Sequence, residues 1–208
     1  MLVFFFNKRF ALFRNINRIS IFREQLLNNL PKVIVHPSDL YIYIRSGDIF
    51  IHAHRFYNQP PLCFYEKILD VFNFNKVYII SEDNLNPVIS NLLNKYSYIK
   101  KNRNNLKLDI SYLVNSYNLV AAKSTLFSTS IKLNDKLKFF WVYDFYSLLS
   151  REYLGFHYSL YKFPLYYTIY KMNSSINYKR KIIPWINSKS QRKLMIKEKC
   201  LNNFDIIK

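Results

Sequence analysis

The sequence predicts an α/β fold, a doubly wound parallel sheet flanked by helices, and two observations carry that reading. Between residues 40 and 135, short apolar, β-branched and aromatic runs alternate with stretches of helical periodicity, the pattern of strands joined by crossover helices. A chain of 208 residues, 50% of them hydrophobic, is also long enough for one well-buried core. One domain with a tail is therefore expected.

The elements follow in order. Phe10, Phe13, Ile16, Ile19, Phe22, Leu26 and Leu30 recur at three- and four-residue steps, an amphipathic helix ended by Pro31. Leu40 to Ile44 is a buried-strand run that stops at the polar turn Arg45-Ser46-Gly47-Asp48. Leu62 to Phe72 is helical, and Lys76 to Ile80 is a second strand closed by Ser81-Glu82-Asp83-Asn84. Pro87 to Leu93 opens a helix, Tyr98 to Lys101 gives a third short strand, and Ile110 to Tyr117 reads as a helix started by Asp109. Leu119 to Ala122 is the fourth strand, followed by Ser124-Thr125 as the cap of a helix reaching about Leu133. Beyond Phe139 the pattern loosens into an aromatic stretch, then a basic tail in which Gln191 to Lys199 forms a solvated helix turning Leu194 and Met195 inward.

The formal net charge of +18 demands a positive surface and points to anionic partners. With only two Gly and an excess of Asn, Lys, Ile, Tyr and Phe, much of that charge reads as plain solvated surface. Cys63 and Cys200 stand far apart, with no Cys or His at metal-ligand spacing, and imply neither a zinc site nor a disulfide framework. The opening MLVFFFNKRF is too short an apolar run for a spanning helix or a secretory signal. No transmembrane segment is expected, and the compartment stays open.

Arg45 to Asp48 is the strongest local signal, because a guanidinium offers a planar donor fork to phosphate oxygens and Gly47 permits close backbone approach. An Arg–Asp pair that merely closes a turn fits the four residues equally well. Ser81-Glu82-Asp83 falls beside Arg45 if the first two strands are neighbours, either to meet a ribose or base edge or to cap a helix. Ser124, Thr125 and Ser128 sit where a helix N-terminus would offer amides and hydroxyls to an anion, or simply where the helix is capped. His36, His52, His54 and His157 complete no triad or metal motif, and His52 and His54 read as loop residues.

In order, the blocks IRSGDIF, YNQPPLCFYEKIL, VYIISEDNLNPVI and LKLDISYLVNSYNLVAAKSTLFS resemble the donor-binding domain of the α-1,2, α-1,6 and protein O-fucosyltransferase clan, over about residues 38 to 135. The resemblance implies a Rossmann-like half of a GT-B glycosyltransferase. It also implies a metal-independent site without cofactor, and transfer of a sugar, fucose by preference, from a GDP-sugar to a glycan or protein acceptor hydroxyl. Arg45 then takes the β-phosphate and stabilises the departing GDP, as a diphosphate leaving group requires. Gly47 belongs to the same donor site. Asp83 takes the nucleoside contact, Asp109 the position ahead of the helix, and Ser124, Thr125 and Ser128 the phosphate side of the pocket. Asp48 is a catalytic candidate or Arg45's turn partner.

The sequence departs from the clan in two ways. Tyr43 stands where the clan carries His, and only about 38 residues precede the motif where a GT-B enzyme has an acceptor domain. Residues 1–37 then form a helix and lead-in, 38–170 the nucleotide-sugar-binding domain, and 171–208 a basic tail packing back on it. Two alternatives stay open: a module that binds nucleotide sugar without transfer, and a basic nucleic-acid binder, for which no specific nucleic acid and no motif is indicated.

Overall fold

The chain was described from a computed structural model, which places residues 16–101, 105–120, 123–144 and 167–207. Strand β1 (Leu40–Tyr43) is the centre of the sheet, and all four of its residues are buried. Around it run β2 (Val77–Ile80), β3 (Ile99–Lys101), β4 (Asn118–Val120), β5 (Phe139–Asp144), β6 (Thr168–Asn173) and β7 (Asp205–Ile207), in the order β3-β2-β1-β4-β5-β6-β7. The first six are parallel and β7 runs antiparallel to β6. β1 pairs with β2 through Tyr41 opposite Tyr78 and with β4 through Tyr41 opposite Leu119. Parallel strands buried on both faces explain why β1 and β2 read as continuous apolar runs.

The alternation of side chains along β1 divides the core in two. Leu40, Ile42 and Ile44 face a layer containing α2 (Leu62–Val71) and α3 (Pro87–Lys95), joined by α6 (Ile176–Ile182) and α7 (Lys189–Lys197). Tyr41 and Tyr43 face α4 (Leu106–Asn115) and α5 (Thr125–Leu133). Helix α1 (Ile16–Asn28) lies against α5, where Arg23 donates to the Leu133 carbonyl at 2.8 Å and pairs with Asp135. It falls within the predicted stretch from Phe10 to Leu30, whose first residues lie outside those described.

The caps differ from the sequence expectation in informative ways. Asn105, not Asp109, starts α4: its side chain accepts from the Leu108 amide, leaving Asp109 in the first turn. Asn86 caps α3 by accepting from Val88 N, with Pro87 at the first helical position, where a missing amide hydrogen costs nothing. Ser188 and Gln191 form a reciprocal capping box that starts α7.

After β4 the fold continues further than the sequence pattern suggested. β5 and β6 extend the sheet through the aromatic region and β7 closes its edge, so residues of the basic tail share the same sheet. In α7 Met195 is fully buried and Leu194 partly so, as expected, and Gln191 spans inward to the carbonyls of Lys181, Ile182 and Pro184. Cys63 and Cys200, expected to be independent, form a disulfide with their Cα atoms 5.5 Å apart. The chain beyond α7 returns over the start of α2, an adjacency that a separation of 137 residues conceals. Among the described residues no helix is long and apolar enough to cross a membrane.

Candidate functional site at the strand switch point

Strand order reverses between β1 and β4: connections from β1 run out to β2 and β3, and those from β4 run the other way. In open α/β sheets the crevice outside the carboxyl ends at such a point is where ligands bind. Arg45 leaves β1 there, with its side chain only 17% exposed. Its two terminal nitrogens each donate to a carboxylate, one to Glu82 Oε1 and one to Asp48 Oδ1, both at 2.6 Å. The third nitrogen, Nε, is buried without a partner, and the guanidinium lies 5.9 Å from the centre of the Tyr57 ring. Burial opposes the charge on Arg45, but Tyr43, Glu82 and Asp48 outweigh it and hold its pKa above the ordinary value.

Asp83 ties the ends of β1 and β2 together. Its Oδ1 accepts from the Ser46 hydroxyl, from Gly47 N at 3.2 Å and from Leu85 N at 2.9 Å. Ser46 Oγ in turn accepts from Asn86 N, and Asn86 Nδ2 donates to the Arg45 carbonyl, each at 3.0 Å. Burial pushes against ionisation of Asp83, but the bonds from Ser46, Leu85 and Gly47, with Lys101 nearby, keep its pKa below the usual carboxylate value. Gly47 is needed here: its φ of +60° is the left-handed region, and a Cβ would come within 2.0 Å of Glu82 Oε2.

Glu82 is raised in pKa by partial burial, with Arg45 opposing and Asp48, Asp83 and Asp109 adding to the rise. Arg45, Gly47, Asp48 and Asp83 are thus brought together, and Asp109 reaches them through the field at Glu82. Asp48 serves the turn, accepting from its neighbour Ile49 N at 2.8 Å as well as from Arg45.

Across the switch point Ser124 occupies the cap position of α5 but makes no side-chain cap bond; its Oγ lies 3.4 Å from the Tyr43 hydroxyl. Tyr43 is 3% exposed and stacks on Phe127 at 5.4 Å, and burial raises its pKa. Thr125 and Ser128 lie in the first turn of α5, and their side chains fall outside the described residues. His52 and His54 are in the loop after β1, and His157 lies outside the described residues.

Two contributors were not picked out from the sequence. Asn86, just before Pro87, locks both strand ends. Lys123 precedes the Ser124 cap of α5, lies 5.8 Å from the centre of the Phe56 ring, and has its pKa lowered by burial to about 8. Its place between a strand end and a helix cap is the signal that could have found it. Arg45 itself is paired with two carboxylates, those of Asp48 and Glu82.

Strand order, parallel sense and helices on both faces define a Rossmann-like α/β protein. Comparison with family models, with curated proteins and with solved structures finds no match to the chain.

Proposed function

We propose that the chain is the donor-binding half of a glycosyltransferase that takes a GDP-sugar, preferably GDP-fucose, in the crevice between β1 and β4 and passes the sugar to a glycan or protein hydroxyl. The observation that supports this most is the position of Arg45, a largely enclosed guanidinium at the carboxyl edge of the central strand, on the switch point of a Rossmann-ordered sheet. Glu82 and Asp48 hold the fork. A diphosphate offers the same paired oxygens with more charge, and replaces them. Gly47 admits the approach and Ser124 lines the far side, with Asp83 setting the loop that carries both Gly47 and Arg45. No metal or cofactor enters this proposal.

Titrating the chain with GDP and GDP-fucose by calorimetry tests it. Arg45→Ala is expected to weaken binding by about tenfold or more, the loss of a charge-assisted bidentate contact. Glu82→Gln is expected to bind at least as well as the parent, because it releases the fork. Unchanged affinity in Arg45→Ala sinks the proposal.

A second reading, binding without transfer, is favoured by Tyr43. Where the resemblance places a His, this phenol is buried, stacked and turned to Ser124, so it offers no titrating nitrogen to a leaving diphosphate. Transfer assays of the parent and of Tyr43→His separate the two readings: turnover only in the variant favours the second, and robust turnover in the parent removes it.

A further inference from the structure

Arg45 and Lys123 leave the sheet side by side. In the pairing of β1 with β4 the last matched residues are Ile42 and Val120, and Arg45 and Lys123 each follow that pair by three residues. The two chains stay neighbours past the strands, since the Tyr43 hydroxyl lies 3.4 Å from Ser124 Oγ. The loop after β1 joins the same two cations along the rim of the crevice. From Arg45 the rings of Tyr57, His54 and Phe56 follow one another to Lys123, in steps of 5.9, 5.4, 5.5 and 5.8 Å. Phe56 is 43% exposed and carries Arg55 at 5.0 Å as well.

Charge decides what this pair can do. Arg45 alone is poorly matched to a diphosphate, because its fork is already met by Glu82 and Asp48, and Asp83 and Asp109 add to the negative field at Glu82. An incoming diphosphate that displaces the two carboxylates leaves them beside its own negative charges, so a second cation is needed to offset them. Lys123 supplies it from the other wall. Its ammonium is partly buried, which lowers its pKa to about 8, and rests over Phe56. A ring face holds a cation less firmly than a phosphate oxygen does, so that contact can be exchanged.

We infer that Lys123 is the second phosphate ligand of the donor site, closing on the diphosphate from the α5 side while Arg45 holds it from β1. Lys123 takes this role only if the crevice binds a GDP-sugar, so the assignment rests on that reading. An ammonium is a compact point charge with three donors, the complement of the planar fork of Arg45. Partial burial adds to its value, because a cation short of solvent gains more from a bound anion than a fully hydrated one does. Near pH 8 the free site has given up part of that charge and a bound anion restores it, so diphosphate binding takes up a proton. Around it, Arg45 and Arg55 keep their charge and burial holds Tyr43 neutral. His52, His54 and the carboxylates of Asp48, Glu82, Asp83 and Asp109 are common to the parent and to Lys123→Arg, so their protons cancel when the two are compared.

The test titrates the full chain with GDP by calorimetry at pH 8, in HEPES and in Tris, whose different ionisation heats report the protons taken up. The parent is expected to take up about half a proton per GDP, the deficit of a group with a pKa of about 8. Lys123→Met keeps a side chain of similar length in the partly buried place but is expected to weaken GDP about tenfold and to lose that uptake. Lys123→Arg should bind within about threefold of the parent, also without the uptake, since a guanidinium is charged already. If Arg45→Ala weakens GDP while Lys123→Met binds as tightly as the parent, or if the parent takes up no more protons than Lys123→Arg, the assignment is overturned and the donor site stands without it. If the parent does not bind GDP, or Arg45→Ala binds it as well as the parent, the donor-site reading itself fails and the role of Lys123 falls with it.

Discussion

The two wings of the sheet, on either side of the β1/β4 switch point, are held by different means. In the wing of β1, β2 and β3 the carboxyl ends are joined by a polar lattice: Asp83 on Ser46, Gly47 and Leu85, Asn86 on Arg45, and Lys101 donating to the Asp83 carbonyl and to Asn84 Oδ1 at 2.7 Å. The wing of β5, β6 and β7 is bound by aromatic contact. Trp141 and Tyr170 stack, Phe72 and Phe204 close over Tyr170, and Tyr143 meets Phe64 and Tyr178 edge-on. The polar lattice fixes positions and directions at the candidate site; the aromatic contacts pack large rings into a core that both wings share.

The sharpest way to break this contrast is through Phe64, which belongs to α2 yet touches Tyr143 of β5 at 5.3 Å and Phe204 beside β7 at 6.3 Å. It is fully buried and spans the two wings. Phe64→Ala is expected to cost about 3–5 kcal/mol in urea unfolding, as a large ring lost from a packed core. The transition should remain single, because both wings share that core. Two separated transitions would show that the wings unfold apart, and the contrast would then be one of domains.

The disulfide gives the next largest effect. Cys63 at the start of α2 and Cys200 after α7 close a sequence separation of 137 residues. Cys63→Ser is expected to lower stability by roughly 2–4 kcal/mol, chiefly by freeing the unfolded chain. Adding reductant should bring the parent to the same unfolding midpoint as the variant and leave the variant unmoved. A parent insensitive to full reduction contradicts the constraint assigned to the bond.

The same contrast explains what was legible in the sequence. β1 and β2 are continuous apolar runs that stop at polar turns, so their ends, and with them Arg45, Asp48 and Asp83, could be read directly. In Phe139–Asp144 the single Asp144 is followed at once by further aromatic residues and no polar turn, which hides the end of β5. In Thr168–Asn173 the 8% exposed Lys171 interrupts the apolar signal of β6. β7 has only three residues and is stable as an edge strand because β6 is already there. Contacts between distant residues were harder still. Glu82 could be placed near Arg45 only by assuming that β1 and β2 are adjacent. Tyr43 meeting Ser124 and Cys63 meeting Cys200 depend on crossovers that no local pattern encodes.

The smallest predicted effect isolates the polar lattice by its charge. Asp83→Asn keeps an acceptor oxygen for Ser46, Gly47 and Leu85 but removes the negative charge, so it should cost about 1 kcal/mol near neutral pH. Because the folded pKa of Asp83 lies below its ordinary value, the folded state favours the carboxylate. That stabilisation is fully present above the unfolded pKa of about 3.9 and disappears as pH falls through the folded value. The stability gap between parent and variant should therefore be flat from pH 7 to about 5 and close below about pH 4. Glu82 provides the opposing slope: with its folded pKa raised, its stabilisation is present at low pH and is lost as pH rises through that value. Measuring Asp83→Asn in a Glu82→Gln background removes that slope. A gap that then persists unchanged at pH 3 would mean that the three hydrogen bonds at Asp83 hold the strand ends without help from its charge.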